Sequence, residues 1–140
     1  MNIASDADGV VFISSLYNPN IKIPQWLFIF IIPIIILQIP DRKFVEFLRK
    51  RRIQGDTIII ISARPKFCFK LTRLLLRFRR VEFDELYCVG FGKGTKERKL
   101  KTCRDNSVVL YFDDDRRVVD FLNENSIRAI RYSRRENCVL

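Results

Sequence analysis

The chain contains no histidine, and only one tryptophan, one methionine and five glycines among its 140 residues. Without histidine, proton transfer near neutral pH falls to carboxylates, lysine, tyrosine or cysteine. A zinc site of the usual kind is excluded too, because Cys68, Cys88, Cys103 and Cys138 lie far apart and form no C-x-x-C pair. That usage fits a reduced intracellular (cytoplasmic) protein with incidental thiols. Cys138 stands third from the end, whereas a prenylation box needs its cysteine fourth, so no lipid anchor is expected in "NCVL". A signal peptide is not expected either, since candidate functional residues begin at position 6. The longest apolar run, "WLFIFIIPIIIL" at 26–37, falls short of the ~20 residues that span a bilayer as a helix.

What is present describes a folded, basic protein. Hydrophobic residues make up 48% and charged residues 30%, which excludes a disordered composition. The length suits a single domain over 1–140. The net charge of +10 is concentrated: thirteen Lys/Arg stand between Arg42 and Arg80 against Glu46 and Asp56 alone, and the rest of the chain is close to neutral. A basic face of this kind suits an anionic partner, whether a phosphorylated substrate, nucleic acid or a membrane surface.

Hydrophobic periodicity sets the architecture. "TIIIIS" (57–62) and "SVVLYF" (107–112) read as strands buried on both faces of a parallel sheet. "NIAS" (2–5) is a third strand, and "DELYCVG" (84–90) and "IRAIRY" (127–132) are expected at the edges. Helical spacing appears in 41–53, 66–78 and 116–126. Strands alternating with helices predict an α/β fold, a Rossmann-like three-layer sandwich around a parallel sheet of about five strands.

In such sheets ligands bind beyond the carboxyl ends of the strands. Taken alone, "SDADG" reads equally well as an Asx turn. The three strongest strands, however, end in Asp6 and Asp8, in Ser62, and in Asp113 with Asp114. Four carboxylates converging on one rim repel one another unless a cation lies between them. Oxygen ligands without histidine favour Mg²⁺, with Asp6, Asp8, Asp113 and Asp114 as the expected metal ligands.

The order "DADGVVF", "IIIISARP", a lysine-rich segment and "VVLYFDDD" resembles the haloacid dehalogenase superfamily, in its phosphatase branch. The resemblance covers about 2–12 and 41–132. It implies a Mg²⁺-dependent phosphohydrolase, a phosphomonoesterase working through an aspartyl phosphate on Asp6. Asp8 would protonate the leaving alkoxide and later deprotonate water, and Gly9 would let the chain leave the strand sharply. Ser62 would donate to a phosphoryl oxygen, a role compatible with capping the following helix. The resemblance also calls for a lysine at the phosphate, and "GKGTKERKLK" offers Lys93, Lys96, Lys99 and Lys101. Lys96, one turn before Leu100, is the first choice and Lys93 the reserve. Asp115 is expected to face solvent, and Arg64 either to lend charge to the site or to lie on the surface.

Between the first two motifs, at about 20–40, an apolar insertion replaces the family's cap. A single bilayer crossing there would put Asp6 and Ser62 on opposite sides, so both ends must stay together. A proline-centred hairpin touching an anionic membrane surface through 25–39 satisfies this, as does a packed flap or an oligomer contact. Peripheral membrane association is thus one expectation. The pattern also looks like the phosphatase modules of polynucleotide end-processing enzymes, although Phe67, Phe69 and Phe78 sit at core spacing rather than on a stacking platform. A non-catalytic scaffold that keeps the fold is the alternative from another class.

Overall fold

The computed structural model describes residues 1–13, 33 and 36–134. Five parallel strands form one sheet: β1 (Asn2–Ser5), β2 (Thr57–Ser62), β3 (Glu85–Cys88), β4 (Val108–Asp113) and β5 (Ala129–Arg131), in the order β3-β2-β1-β4-β5. Among the described residues, the strands are connected by α1 (Arg42–Ile53), α2 (Phe69–Phe78, entered through a 3₁₀ turn at Lys66–Cys68), α3 (Thr95–Asp105) and α4 (Arg116–Glu124). This is the expected α/β sandwich, with β3 and β5 at the edges.

Alternation along the strands builds the layers. Ile58 and Ile60 face the side that packs Phe44 and Leu48 of α1 and Leu75 and Leu76 of α2. Ile59 and Ile61 face the other, against Leu100 and Cys103 of α3 and Val118 and Leu122 of α4. Ile58 to Ile61 are all buried, each contributing ~2 kcal/mol of apolar burial. Such a strand needs cover on both faces, hence the helices on each.

The caps explain where the helices begin. Asp41 precedes α1, its Oδ1 accepting the amides of Lys43 (3.0 Å) and Phe44 (3.4 Å), and Lys50, Arg51 and Arg52 close the last turn. Burial works against the Asp41 charge, but the Tyr132 hydroxyl, the Phe44 amide and Arg134 together hold its carboxyl below the usual range. Asp115, expected in solvent, keeps its side chain 32% exposed and also caps α4 by accepting the Arg117 amide at 2.9 Å.

Two further differences concern aromatic residues and the insertion. Phe69 is partly buried against the core, but Phe67 and Phe78 lie in solvent, because Cys68, Thr72, Leu75 and Leu76 already fill the inner face of that helix. At the insertion, the Ile13 amide donates to the Ile39 carbonyl (2.9 Å) and the Asp41 amide to that of Val11 (2.7 Å). The chain therefore returns to the place it left. Most of the 25–39 run lies outside the described residues. Among those described, no helix is long and apolar enough to cross a membrane.

Candidate functional site

The sheet order reverses at β1: β2 and β3 extend to one side, β4 and β5 to the other. The crevice at such a reversal, past the carboxyl ends, is where α/β sheets bind ligands. β1 delivers Asp6 to it and β4 delivers Asp113 and Asp114. The Asp6 amide donates to the Phe112 carbonyl at 2.8 Å, tying the two strand ends together. One carboxylate oxygen from each of Asp6, Asp113 and Asp114 lies within 4.8 Å of the others, a group that could hold a metal ion.

The fourth member is a lysine. Lys99 of α3 is 2% exposed, and its Nζ lies 3.0 Å from Asp6 Oδ2 and 2.7 Å from Asp113 Oδ2. Burial opposes its charge, but Asp113 and Asp6 hold it well above the usual lysine range. It stays protonated, and one ammonium faces three carboxylates. The imbalance shows in the acids. Burial, opposed by Lys99 but joined by Asp113, Asp8 and Asp114, pushes Asp6 up to about 8. Burial and the Asp113 charge raise Asp114 to about 6. All-oxygen donors with uncompensated negative charge fit a hard divalent cation.

Gly9 shapes this cluster. Its φ is +80°, and a Cβ there would stand 2.1 Å from Asp114 Oδ2. Any side chain would strain the backbone and displace the carboxylate.

The Asp8 carboxylate does not join the group formed by those of Asp6, Asp113 and Asp114, contrary to expectation. It points into a separate buried clamp, where Arg64 grips it with Nε to Oδ2 (2.9 Å) and Nη2 to Oδ1 (2.7 Å). Gln38 Nε2 adds a bond to Oδ1 at 2.7 Å, and Gln38 Oε1 accepts from Arg64 Nη2. Arg64 is 1% exposed, so the surface reading fails for it, and its Nη1 also reaches Thr72 Oγ1 at 3.2 Å. A planar fork matched to a carboxylate fixes orientation as well as charge. Ser62, fully buried at the end of β2 beside β1, accepts the Arg64 amide through Oγ at 3.2 Å. It thereby shapes the turn that brings Arg64 inward rather than capping the helix.

The lysine choice is corrected as well. Lys96 Nζ sits 4.9 Å over the Phe121 ring, on the outside of α3, and Lys93 is exposed on the preceding loop. Leu100 does face the core, but so does the residue before it, and that residue is Lys99. Its signal was the one-turn spacing to Cys103, the other inward residue of α3. Gln38, the only polar residue between Pro33 and Pro40 in the sequence, is the other side chain of this arrangement that the sequence pattern did not single out.

No protein-family model matches the chain, and no curated protein matches it in sequence. Among solved structures, a chain from a structure of the Pnkp1/Rnl/Hen1 RNA repair complex is similar in fold, with a TM-score of 0.72 at 16% identity over 94% of this chain and 42% of that one. A chain from another structure of the Pnkp1/Rnl/Hen1 complex gives 0.70 at 16% identity, over 94% and 45%. The present chain thus spans less than half the length of either, and what it shares with them is the fold.

Proposed function

We propose that the protein is a divalent-cation-dependent phosphohydrolase of the haloacid dehalogenase type. The observation that carries this reading is the meeting of Asp6, Asp113, Asp114 and Lys99 at the sheet reversal, with Asp8 held two residues further along. Bound Mg²⁺ would be held by Asp6, Asp113 and Asp114, and would supply charge stabilisation to a transferring phosphoryl group.

The chain's own residues supply the rest. Asp6, fixed through its Oδ1 by the Ala7 amide at 2.8 Å, is the nucleophile toward phosphorus, and the ester oxygen leaves as the aspartyl phosphate forms. Asp8 enters as the carboxylic acid, with one oxygen released by the Arg64 fork. It gives its proton to the leaving oxygen and takes one back from the water that releases phosphate, so it ends the cycle as it began. Gln38 and the remaining Arg64 contact keep it oriented. Lys99 keeps Asp6 and Asp113 from repelling each other and presents positive charge to the phosphoryl oxygens. Ser62, accepting from Arg64, keeps its own proton to donate.

A polynucleotide end is the substrate reading that a specific observation favours. It draws on the fold shared with chains of an RNA repair complex and on the cationic surface of α1. The test compares hydrolysis of an aryl phosphate and of 3′- and 5′-phosphorylated oligonucleotides, with and without Mg²⁺, by wild type and Asp6→Asn. Mg²⁺-dependent release of phosphate that Asp6→Asn abolishes supports the enzyme. Metal binding without turnover of any ester leaves the scaffold reading in its place.

A further inference from the structure

The outer face of α2 carries a pattern that the site does not use. From Lys66 to Phe78 a cation is followed by an apolar residue four times: Lys66–Phe67, Lys70–Leu71, Arg73–Leu74 and Arg77–Phe78. The intervals of four, three and four residues stack like on like along a helix. Two parallel ridges result, one cationic and one apolar.

The cationic ridge stands in solvent, and so does the apolar one apart from Leu71, which also packs against the core. Phe67, Leu74 and Phe78 are 62%, 66% and 76% exposed, with Leu71 partly buried beside them. Lys66, Lys70, Arg73 and Arg77 are exposed. The needs of the core are already met by Cys68, Thr72, Leu75 and Leu76 on the inner face. Single exposed apolar residues are ordinary, but a row on successive turns marks an interaction surface. The row continues beyond the helix. Arg79 Nη2 donates to the Ile36 carbonyl at 3.1 Å, which sets the segment carrying exposed Ile36, Leu37 and Ile39 against the end of α2. No acidic residue occurs between Asp56 and Glu82; Asp84 and Glu85 of the neighbouring edge line a shallow pocket with Arg73 and Arg77, whereas Lys66 and Lys70 lie outside that pocket.

We propose that this face of α2 docks on an anionic lipid bilayer. Phe67, Leu71, Leu74 and Phe78 enter the acyl boundary, while Lys66, Lys70, Arg73 and Arg77 rest among the phosphate headgroups. A helical stretch of ~20 Å lying in the interface plane suits this arrangement. The other occupants fit worse. A second copy would oppose one cationic ridge to another. A polynucleotide would neutralise the cations but leave Leu74 and Phe78 in water. A coiled-coil partner needs at least about three heptads, and the stripe covers fewer than two. The docking does not depend on the chemistry at the strand ends.

The test is co-sedimentation of the full chain with phosphatidylcholine vesicles, with or without about one-third phosphatidylserine. Wild type is expected to bind the anionic vesicles at least ~10-fold more tightly than the neutral ones, and less tightly at high salt. Lys70→Glu/Arg73→Glu/Arg77→Glu is expected to lose about fivefold or more per cation. Phe67→Ser/Leu74→Ser/Phe78→Ser should lose ~10-fold or more with its circular dichroism unchanged. Should either triple variant fail to fold, Arg77→Glu and Phe78→Ser singly, at the exposed end of the helix, carry the same comparison. Equal vesicle binding by wild type and both variants would place any lipid contact elsewhere, on the 26–37 run, and overturn the proposal. Absence of vesicle binding, with binding of single-stranded RNA that the cationic variant loses, would overturn it in favour of a polynucleotide track.

Discussion

Asp6 and Asp8 are the same residue type, two positions apart, yet they occupy opposite electrostatic situations. Asp6 shares one ammonium with Asp113, Asp114 stands in the same cluster, and the cluster is short of positive charge. Asp8 has a guanidinium to itself, reinforced by an amide. The comparison separates two tasks that the motif alone runs together. One carboxylate belongs to a cluster that could hold a metal ion, and the other is oriented by a buried guanidinium and an amide. Adjacent acids therefore do not imply a shared ion, and what faces each of them decides its role.

The difference is broken most severely at Lys99. Lys99→Met leaves Asp6 and Asp113 facing each other and is expected to lower kcat by ~10²- to 10³-fold. Lys96→Ala, which removes only a contact to the Phe121 ring, should leave the rate within about twofold. Steady-state phosphatase assays of the two variants check both. At the other carboxylate, Arg64→Lys keeps the charge but loses the fork that orients Asp8. The expectation is a fall of ~10²-fold in kcat with Mg²⁺ affinity unchanged, measured by kinetics beside calorimetric titration. Gly9→Ala pushes Asp114 aside without touching the clamp, and should weaken Mg²⁺ binding by ~10-fold in the same titration.

A further consequence of the difference lies in stability against pH. The folded-state pKa of Asp6 is about 8, above its unfolded value, so without metal the folded state holds the proton longer than the unfolded chain. Its effect is absent below the unfolded pKa near 4, and stability declines as pH rises toward about 8. Asp114 adds a decline that ends near 6. Thermal melts of the metal-free protein from pH 5 to 8.5 should show this slope, flattened in Asp6→Asn. Mg²⁺ should raise the melting temperature more at pH 8 than at pH 6, because binding must displace protons.

The sheet was largely legible, and the reason is burial. "NIAS" and "TIIIIS" coincide with β1 and β2, since an apolar run covered on both faces leaves few alternatives. The span read as 107–112 became Val108–Asp113, a shift of one residue at each end, because Asp113 continues the ladder by pairing with Arg131. α3 was the element whose period the sequence hid. Its inward face is Lys99, Leu100 and Cys103, and a lysine in that set masks the apolar spacing. The same masking led to Lys96. The positions of Asp6, Asp113 and Asp114 followed from the rule of strand ends, but the direction of Asp8 did not. It depends on Arg64 and Gln38, 56 and 30 residues away, and no local pattern reports such a contact.

Calorimetric titration of Mg²⁺ into Asp113→Asn and Asp8→Asn tests the central distinction most directly. With the ion held by Asp6, Asp113 and Asp114, Asp113→Asn should lose affinity by at least ~10-fold, and Asp8→Asn should bind within about twofold of wild type. Loss of binding in Asp8→Asn, or wild-type affinity in Asp113→Asn, would contradict it.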